Sequence, residues 1–281
     1  MRRFVILLAV SVAVLSSGQM TVKRRPIATS TCTASSSGVL LWVNGENGTA
    51  IGTFQDYTMS TTLEYSATGS GDFWDDGGNC TGTCTDDVDT TAPVLQGANS
   101  FNFTRTSCTA SCSSLNLRLD NCDTVIDQDS GRIGFYLQYV THDNAIEYLF
   151  TDTGNVHYVR TVASASAPVN LQFKACGQTV NSTGTPINTG TKYFVEMSWD
   201  CSLNGTSDYV RGYVDGTQVA EKTGGNYTAG TPGQYCGIGQ QVGTTTDSSY
   251  HLDMLISHSD PTANLYNVVV TQACQNYNEL S

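Results

Sequence analysis

The chain has 281 residues, of which 39% are hydrophobic and only 14% charged, and its formal charge is −12. So acidic a protein has no electrostatic basis for binding nucleic acid or an anionic membrane surface. Its length suits one large sandwich domain, and its abundant Gly, Ser and Thr are those of extracellular β-proteins.

Residues 1–18 read as a secretory signal peptide. Arg2 and Arg3 are its basic start, Phe4 to Leu15 its apolar run, and Ser16-Ser17-Gly18 supply small residues for cleavage. The apolar run is shorter than the roughly 20 residues of a spanning helix. Loss of this segment takes the charge to −14 (−12 − 2). No later segment approaches spanning length, so the mature chain is expected to be exported, extracellular or at the cell surface, without membrane insertion. Residues 19–31, with Lys23-Arg24-Arg25-Pro26, read as a flexible N-terminal arm. Residues 32–281 read as one domain.

That domain is a succession of short strands. Val39 to Val43 comes first and Asn44-Gly45 ends it. Tyr57 to Tyr65, Ser100 to Thr106, Ile133 to Val140, Ala145 to Thr151, Val156 to Thr161 and Val169 to Lys174 follow. Asp152-Thr153-Gly154-Asn155 is a hairpin turn between two of them. Tyr193 to Asp200 alternates, with Tyr193, Val195, Met197 and Trp199 on one face and Phe194, Glu196, Ser198 and Asp200 on the other, the pattern of a half-buried antiparallel strand. Tyr209-Val-Arg-Gly-Tyr-Val-Asp-Gly then carries the hairpin signal Asp215-Gly216, and Cys236-Gly-Ile-Gly and His251-Leu-Asp-Met-Leu-Ile-Ser close the series. No helix-period segment of convincing length follows the signal. Many short strands with turn signals between them predict an all-β antiparallel sandwich or jelly roll.

The order of these motifs resembles laminin G-like domains of the concanavalin A-like superfamily: a W…D strand, a V-D-G hairpin, an I-G strand and a closing strand with a central Asp. Gly38-Val-Leu-Leu-Trp-Val-Asn-Gly resembles their opening strand. Gln96-Gly-Ala-Asn-Ser-Phe-Asn-Phe resembles their G-x-x-S-F-x-F strand, and Asp127 to Tyr139 the glycine-rich segment after it. The resemblance runs from Gly38 to Tyr266. It implies a disulfide-stapled jelly roll, a fold shared by lectins, adhesion modules, filament parts and glycan-cleaving enzymes. It also implies that the first and last strands are neighbours, so that Cys32 and Cys274 would form a staple.

The ten cysteines in a secreted context favour disulfides. Cys80 with Cys84 and Cys108 with Cys112 each suit a small local loop, and the same two C-x3-C pairs have a spacing that a zinc site also permits. Six asparagine sequons occur, at Asn47, Asn79, Asn102, Asn181, Asn204 and Asn226. So Ser- and Thr-rich a composition yields about four by chance, and the sequence does not demand glycosylation.

For catalysis, the paired glutamates of polysaccharide-cleaving relatives are absent. The six glutamates (46, 64, 147, 196, 221, 279) never fall within five residues of each other. Glu147 and Glu196 read as solvated strand faces. Tyr139, His142, His157, Tyr158 and Arg160 assemble into a lyase-type proton-transfer set on paper, as scattered Tyr and His residues do in any β-protein of this composition. Calcium is the more credible cofactor, since Ca²⁺ takes oxygen ligands and laminin G-like domains often hold one at a loop rim. Asp72, Asp75 and Asp76 with Asp86, Asp87 and Asp89 form acidic clusters flanking the Cys80–Cys84 loop, and Asp127 and Asp129 form another pair. A solvated acidic loop has the same composition. For sugar binding the candidates are Trp74, in loop-like Gly-Asp-Phe-Trp-Asp-Asp-Gly-Gly-Asn, as a stacking face with Asp75 and Asp76 to bond hydroxyls, then Tyr227 and Tyr235. Trp42 and Trp199 read as core.

The function expected from the chain is therefore a secreted non-catalytic module that binds a carbohydrate or an extracellular matrix or surface protein, with Ca²⁺ as its cofactor. The alternative is a structural subunit of a cell-surface or extracellular filament, self-assembling through residues 19–31. An enzyme acting on polysaccharide is the lesser alternative.

Overall fold

The computed structural model describes residues 32–43, 54–55, 62–64, 85–89, 95, 100–106, 117–120, 122–142, 146–152, 154–162, 169–184, 187–203, 207–233, 235–242 and 248–274. The segments read as signal peptide and arm lie outside them, as do Cys80, Cys84, Cys108 and Cys112.

The described strands are β1 (Val39–Val43), β2 (Phe54–Gln55), β3 (Thr62–Glu64), β4 (Thr85–Asp89), β5 (Phe101–Thr106), β6 (Leu117–Asp120), β7 (Ser130–Thr141), β8 (Ile146–Asp152), β9 (Tyr158–Thr161), β10 (Leu171–Ala175), β11 (Gln178–Asn181), β12 (Lys192–Asp200), β13 (Asp208–Val214), β14 (Thr217–Gly225), β15 (Tyr235–Val242) and β16 (Ser248–His258). A one-turn helix, α1 (Cys122–Val125), precedes β7, and a short π-helical turn covers Asn267–Thr271.

All pairings are antiparallel and form two sheets. Sheet A runs β14-β13-β12-β7-β16-β5-β4, with β1 pairing the second half of β16. Sheet B runs β11-β10-β9-β8-β15-β6-β3-β2. The architecture is the all-β antiparallel sandwich that the strand pattern predicts. Asp215-Gly216 turns β13 into β14 with both residues at positive φ (49° and 72°), and Asp215 also accepts the Phe194 N–H through Oδ1 at 2.8 Å. The β8–β9 hairpin turns through Asn155, also at positive φ. Tyr57 to Tyr65, expected as one strand, is described only over Thr62–Glu64.

Between the sheets lies the main core. Val195, Met197, Trp199, Phe135, Leu137 and Leu252 from sheet A meet Leu149, Val159, Leu171, Phe173 and Ile238 from sheet B. Full burial of each such side chain contributes about 1.5–3 kcal/mol. A second apolar cluster sits on the outer face of sheet A. There the segment after β16 doubles back as a strap, and Leu265 and Val269 join Trp42, Tyr136, Phe194, Met254 and Ile256. Ser198 Oγ donates to the Pro261 carbonyl at 2.8 Å, which fixes the start of the strap. Cys32–Cys274 ties its end to the segment before β1.

The strap corrects the expectation of a half-buried β12. Phe194, Glu196 and Ser198, read as a solvent face, are buried beneath residues 261–266. Two further disulfides were not legible in the sequence. Cys122–Cys236 ties α1 to β15, and Cys176–Cys201 ties the β10–β11 turn to the end of β12, bridging the two sheets. Among the described residues no cysteine is free.

Candidate functional site

The two strand glutamates are interior groups, which corrects their reading as solvated faces: both are 0% exposed. Glu196 Oε1 accepts from Arg132 Nε and Nη2, each at 2.9 Å, and from the Tyr266 N–H at 3.3 Å. Arg132 also stands 4.5 Å from the centre of the Tyr213 ring. Burial pushes the Glu196 carboxyl above its ordinary value, and the Arg132 charge opposes that rise. Glu147 lies in the other sheet, where it accepts the Tyr139 hydroxyl proton and stands 3.9 Å from His142 Nε2. The paper assembly of tyrosines and histidines is thus divided. Tyr139 and His142 gather on Glu147, and His157 lies against Asp152 at 3.1 Å, with its ring 5.1 Å from that of Trp199. Tyr158 and Arg160 belong to a third place.

That third place is the outer face of sheet B. Along β9 and β10 the apolar residues Val159, Leu171, Phe173 and Ala175 point into the core, and period-two alternation turns Tyr158, Arg160, Gln172 and Lys174 outward. Register then aligns them across strands. Tyr148 of β8 faces Arg160 of β9, Arg160 faces Gln172 of β10, and Gln172 faces Asn181 of β11. Hydrogen bonds follow the same line. Arg160 Nη1 donates to the Tyr148 hydroxyl at 2.7 Å, Arg160 Nε to Gln172 Oε1 at 2.7 Å, and Gln172 Nε2 to Asn181 Oδ1 at 2.7 Å. A second row, Tyr158 facing Lys174, joins the first because the Tyr158 hydroxyl also donates to Gln172 Oε1 at 2.8 Å.

The guanidinium carbon of Arg160 stands 4.8 Å from the Tyr158 ring centre and 5.2 Å from that of Tyr148, and the two rings meet edge to face. The tyrosines are 5% and 9% exposed, whereas Arg160, Gln172 and Lys174 are half-buried and Asn181 is exposed. An incoming molecule therefore meets a row of polar groups backed by aromatic rings. The chemistry available is hydrogen bonding to hydroxyls and anions. Alternation marks Tyr158 and Arg160 in the sequence, but their partners on β8, β10 and β11 follow only from register.

The residues singled out for the loop rim are not brought together among the described residues. Asp72, Trp74, Asp75 and Asp76 lie outside them. Asp86, Asp87 and Asp89, expected in a loop, lie on β4, whose backbone pairs with β5. Tyr227 is half-buried against the main core, its N–H donating to Asp208 Oδ2 at 2.8 Å. Tyr235 begins β15. An open cleft of about 420 Å³ is lined by Asp123, Asp127, Gln128 and Asp129. Asp127 Oδ1 is already engaged there, accepting the N–H groups of Asp129 at 2.8 Å and Ser130 at 3.4 Å. Among the described residues no group of three or more His, Cys, Asp or Glu side chains is placed to hold a metal ion.

Of the sequons, Asn102 is half-buried within β5, which is paired on both sides, and Asn181 and Asn226 are exposed. Asn47, Asn79 and Asn204 lie outside the described residues.

The architecture is a two-sheet antiparallel β-sandwich. No family model matches the chain, and no curated protein matches it in sequence. Among solved structures it is similar to the binding domain of botulinum neurotoxin DC in complex with rat synaptotagmin II. The TM-score is 0.55 at 10% identity, over 87% of this chain and 53% of that one. A botulinum neurotoxin type C structure, described as showing cell entry dependent upon interaction with two ganglioside molecules, matches with TM-score 0.51 and 8% identity over 85% of this chain and 51% of that one. Endo-β-1,4-glucuronan lyase from the fungus Trichoderma reesei matches with TM-score 0.45 and 12% identity over 66% of this chain and 93% of that one. The chain spans about half the length of the neurotoxin chains it matches. At these identities the likeness to the two neurotoxin structures bears on the fold alone.

Proposed function

We propose that this chain is a secreted, non-catalytic module that binds glycans or a glycosylated surface partner, and that the Tyr148–Arg160–Gln172–Asn181 ladder is its contact surface. One observation carries this reading. Four side chains on four adjacent strands form a continuous hydrogen-bonded row on an outer sheet face, with their remaining donors and acceptors uncommitted among the described residues. Such a row matches the spaced hydroxyls of a sugar chain. Further support comes from Glu147 and Glu196, which are enclosed in different parts of the interior and do not form an acid–base pair at a surface. The synaptotagmin II complex of one similar neurotoxin binding domain, and the interaction with two ganglioside molecules described for the other neurotoxin, agree with it. The laminin G-like order of motifs belongs to the same proposal. So does a calcium-bearing rim of Asp72, Asp86, Asp87 and Asp89, with Trp74 as a stacking platform and Asp75 and Asp76 beside it as ligand contacts.

A glycan array probed with the protein, in calcium and then in chelator, tests the reading. Arg160→Ala and Trp74→Ala variants run in parallel separate the ladder from the rim. Binding weakened by Arg160→Ala supports the ladder, and binding lost on chelation and by Trp74→Ala supports the rim. An array blank for the wild-type protein would sink the glycan-binding reading.

A further inference from the structure

We infer that the ladder selects acidic glycans, with Arg160 and Lys174 holding the carboxylates of uronate-type sugars. This rests on the glycan-binding reading above and adds the chemical class of its ligand.

The cations of the chain are few; of the others whose side chains are described, Lys222 is exposed on the edge strand β14 and the remaining three are occupied. Arg132 pairs with Glu196 and Arg211 with Glu221, and Lys192 Nζ donates to the Leu95 carbonyl at 2.9 Å. Arg160 and Lys174 differ from these. Arg160 bonds only the neutral oxygens of Tyr148 and Gln172, and Lys174 stands 5.5 Å from the Tyr158 ring centre with no carboxylate beside it among the described residues. The only carboxylates on β8 to β11 are Glu147 and Asp152. Both are fully buried, and both are engaged, one by Tyr139 and the other by His157 and the N–H of Val156. In a protein with 25 Asp and Glu against 13 Lys and Arg, these two neighbouring cations on one sheet face thus have no carboxylate partner among the described residues.

The geometry of Arg160 suits a carboxylate. A guanidinium has five N–H donors, and two of these are used by Gln172 and Tyr148. The three that remain, including both on Nη2, can engage a carboxylate in the forked arrangement that a planar guanidinium favours. Tyr148, Tyr158 and Gln172 already hold the group in place, so little side-chain freedom is lost when a ligand arrives. The row crosses four strands, a span of about 14 Å at a strand spacing of about 4.8 Å, which is long enough for a short oligosaccharide. The acidity of the rest of the molecule does not prevent this, because charges beyond about 8 Å are screened at physiological ionic strength.

The test is titration calorimetry with matched pairs of probes: polygalacturonate, polyglucuronate and polymannuronate, each against its carboxyl-reduced form. The wild-type protein is compared with Arg160→Gln and Lys174→Gln. The Lys174 side chain makes no hydrogen bond among the described residues, while its backbone pairs within the sheet whatever the side chain, so its variant is expected to fold, and thermal unfolding checks both. The expected result is binding of at least one acidic polymer about tenfold or more tighter than its reduced partner, a gap that narrows by a similar factor in each variant. Equal affinity for the members of every pair, or a preference unmoved in Lys174→Gln, overturns the charge inference and leaves the glycan-binding reading intact. No binding to any polymer, together with neutral glycans captured on the array, also overturns it, and a blank array as well removes both.

Discussion

Gly239, the last residue of the Cys236-Gly-Ile-Gly motif, shows how a short sequence signal can hold a packing constraint. It sits at φ +83°, and a Cβ built there would lie 2.3 Å from the Phe103 ring of the opposite sheet. Gly239→Ala combines a left-handed backbone with an overpacked contact, so a loss of about 1–3 kcal/mol is expected in urea unfolding. A change within a few tenths would show that Phe103 can move aside. Glu196 makes a different prediction. Burial raises its carboxyl above the ordinary 4.5, with Arg132 only partly opposing. Between the ordinary and the raised value, the native state holds a proton that the unfolded chain has released. The resulting contribution to stability is complete below the ordinary value and disappears as pH rises through the raised one. Unfolding free energies of wild type and Glu196→Gln, compared from about pH 4 to about pH 7, should show the wild type losing ground to the variant as pH rises. A difference that stays flat would mean that the native carboxyl titrates normally.

At the scale of elements, the strap after β16 does most to distinguish this sandwich from a bare pair of sheets. Cys32–Cys274 closes a separation of 242 residues, and replacing both cysteines by serine is expected to cost about 2–5 kcal/mol. Limited proteolysis should then cut first near residues 260–274. Unchanged stability and the wild-type cleavage pattern would show that the apolar contacts of Leu265 and Val269 suffice. The strap also explains which parts of the fold the sequence conceals. Central strands such as β5, β10 and β12 are legible because alternation and β-branched or aromatic residues coincide. β11 and β14 are edge strands, Gln-Thr-Val-Asn and Thr-Gln-Val-Ala-Glu-Lys-Thr-Gly-Gly, and too few of their side chains are buried to leave an apolar pattern. On β12 the sign of a second covered face was Phe194, but the residues that cover it come from more than sixty positions later. The ladder is hidden for a related reason. Tyr158 and Arg160 stand out locally, yet Tyr148, Gln172 and Asn181 become their neighbours only when three hairpin registers are fixed together. The Cys122–Cys236 and Cys176–Cys201 bonds depend on the same long-range closure.

For the molecule as a whole, glycosylation and ligand binding meet at one residue. Asn181 is the exposed end of the ladder and also a sequon, whereas Asn226 is an exposed sequon outside the ladder. In a glycosylating host, peptide mapping is expected to find Asn226 modified more fully than Asn102, which is half-buried inside a paired strand. Protein modified at Asn181 should bind its ligand more weakly than protein made without glycosylation. Equal binding by the two preparations would remove Asn181 from the contact surface.

The two outer faces of the sandwich have opposite uses. On sheet A the described chain begins and finishes side by side, at Cys32 and Cys274, while the ladder occupies sheet B. A group attached beside Cys32 or Cys274 is therefore held on the face away from the ladder. Anchored in this way, the protein would present the Arg160 row outward, like a plate fixed by its back, and immobilisation through a tag placed next to residue 32 or residue 274 should leave ligand capture undiminished.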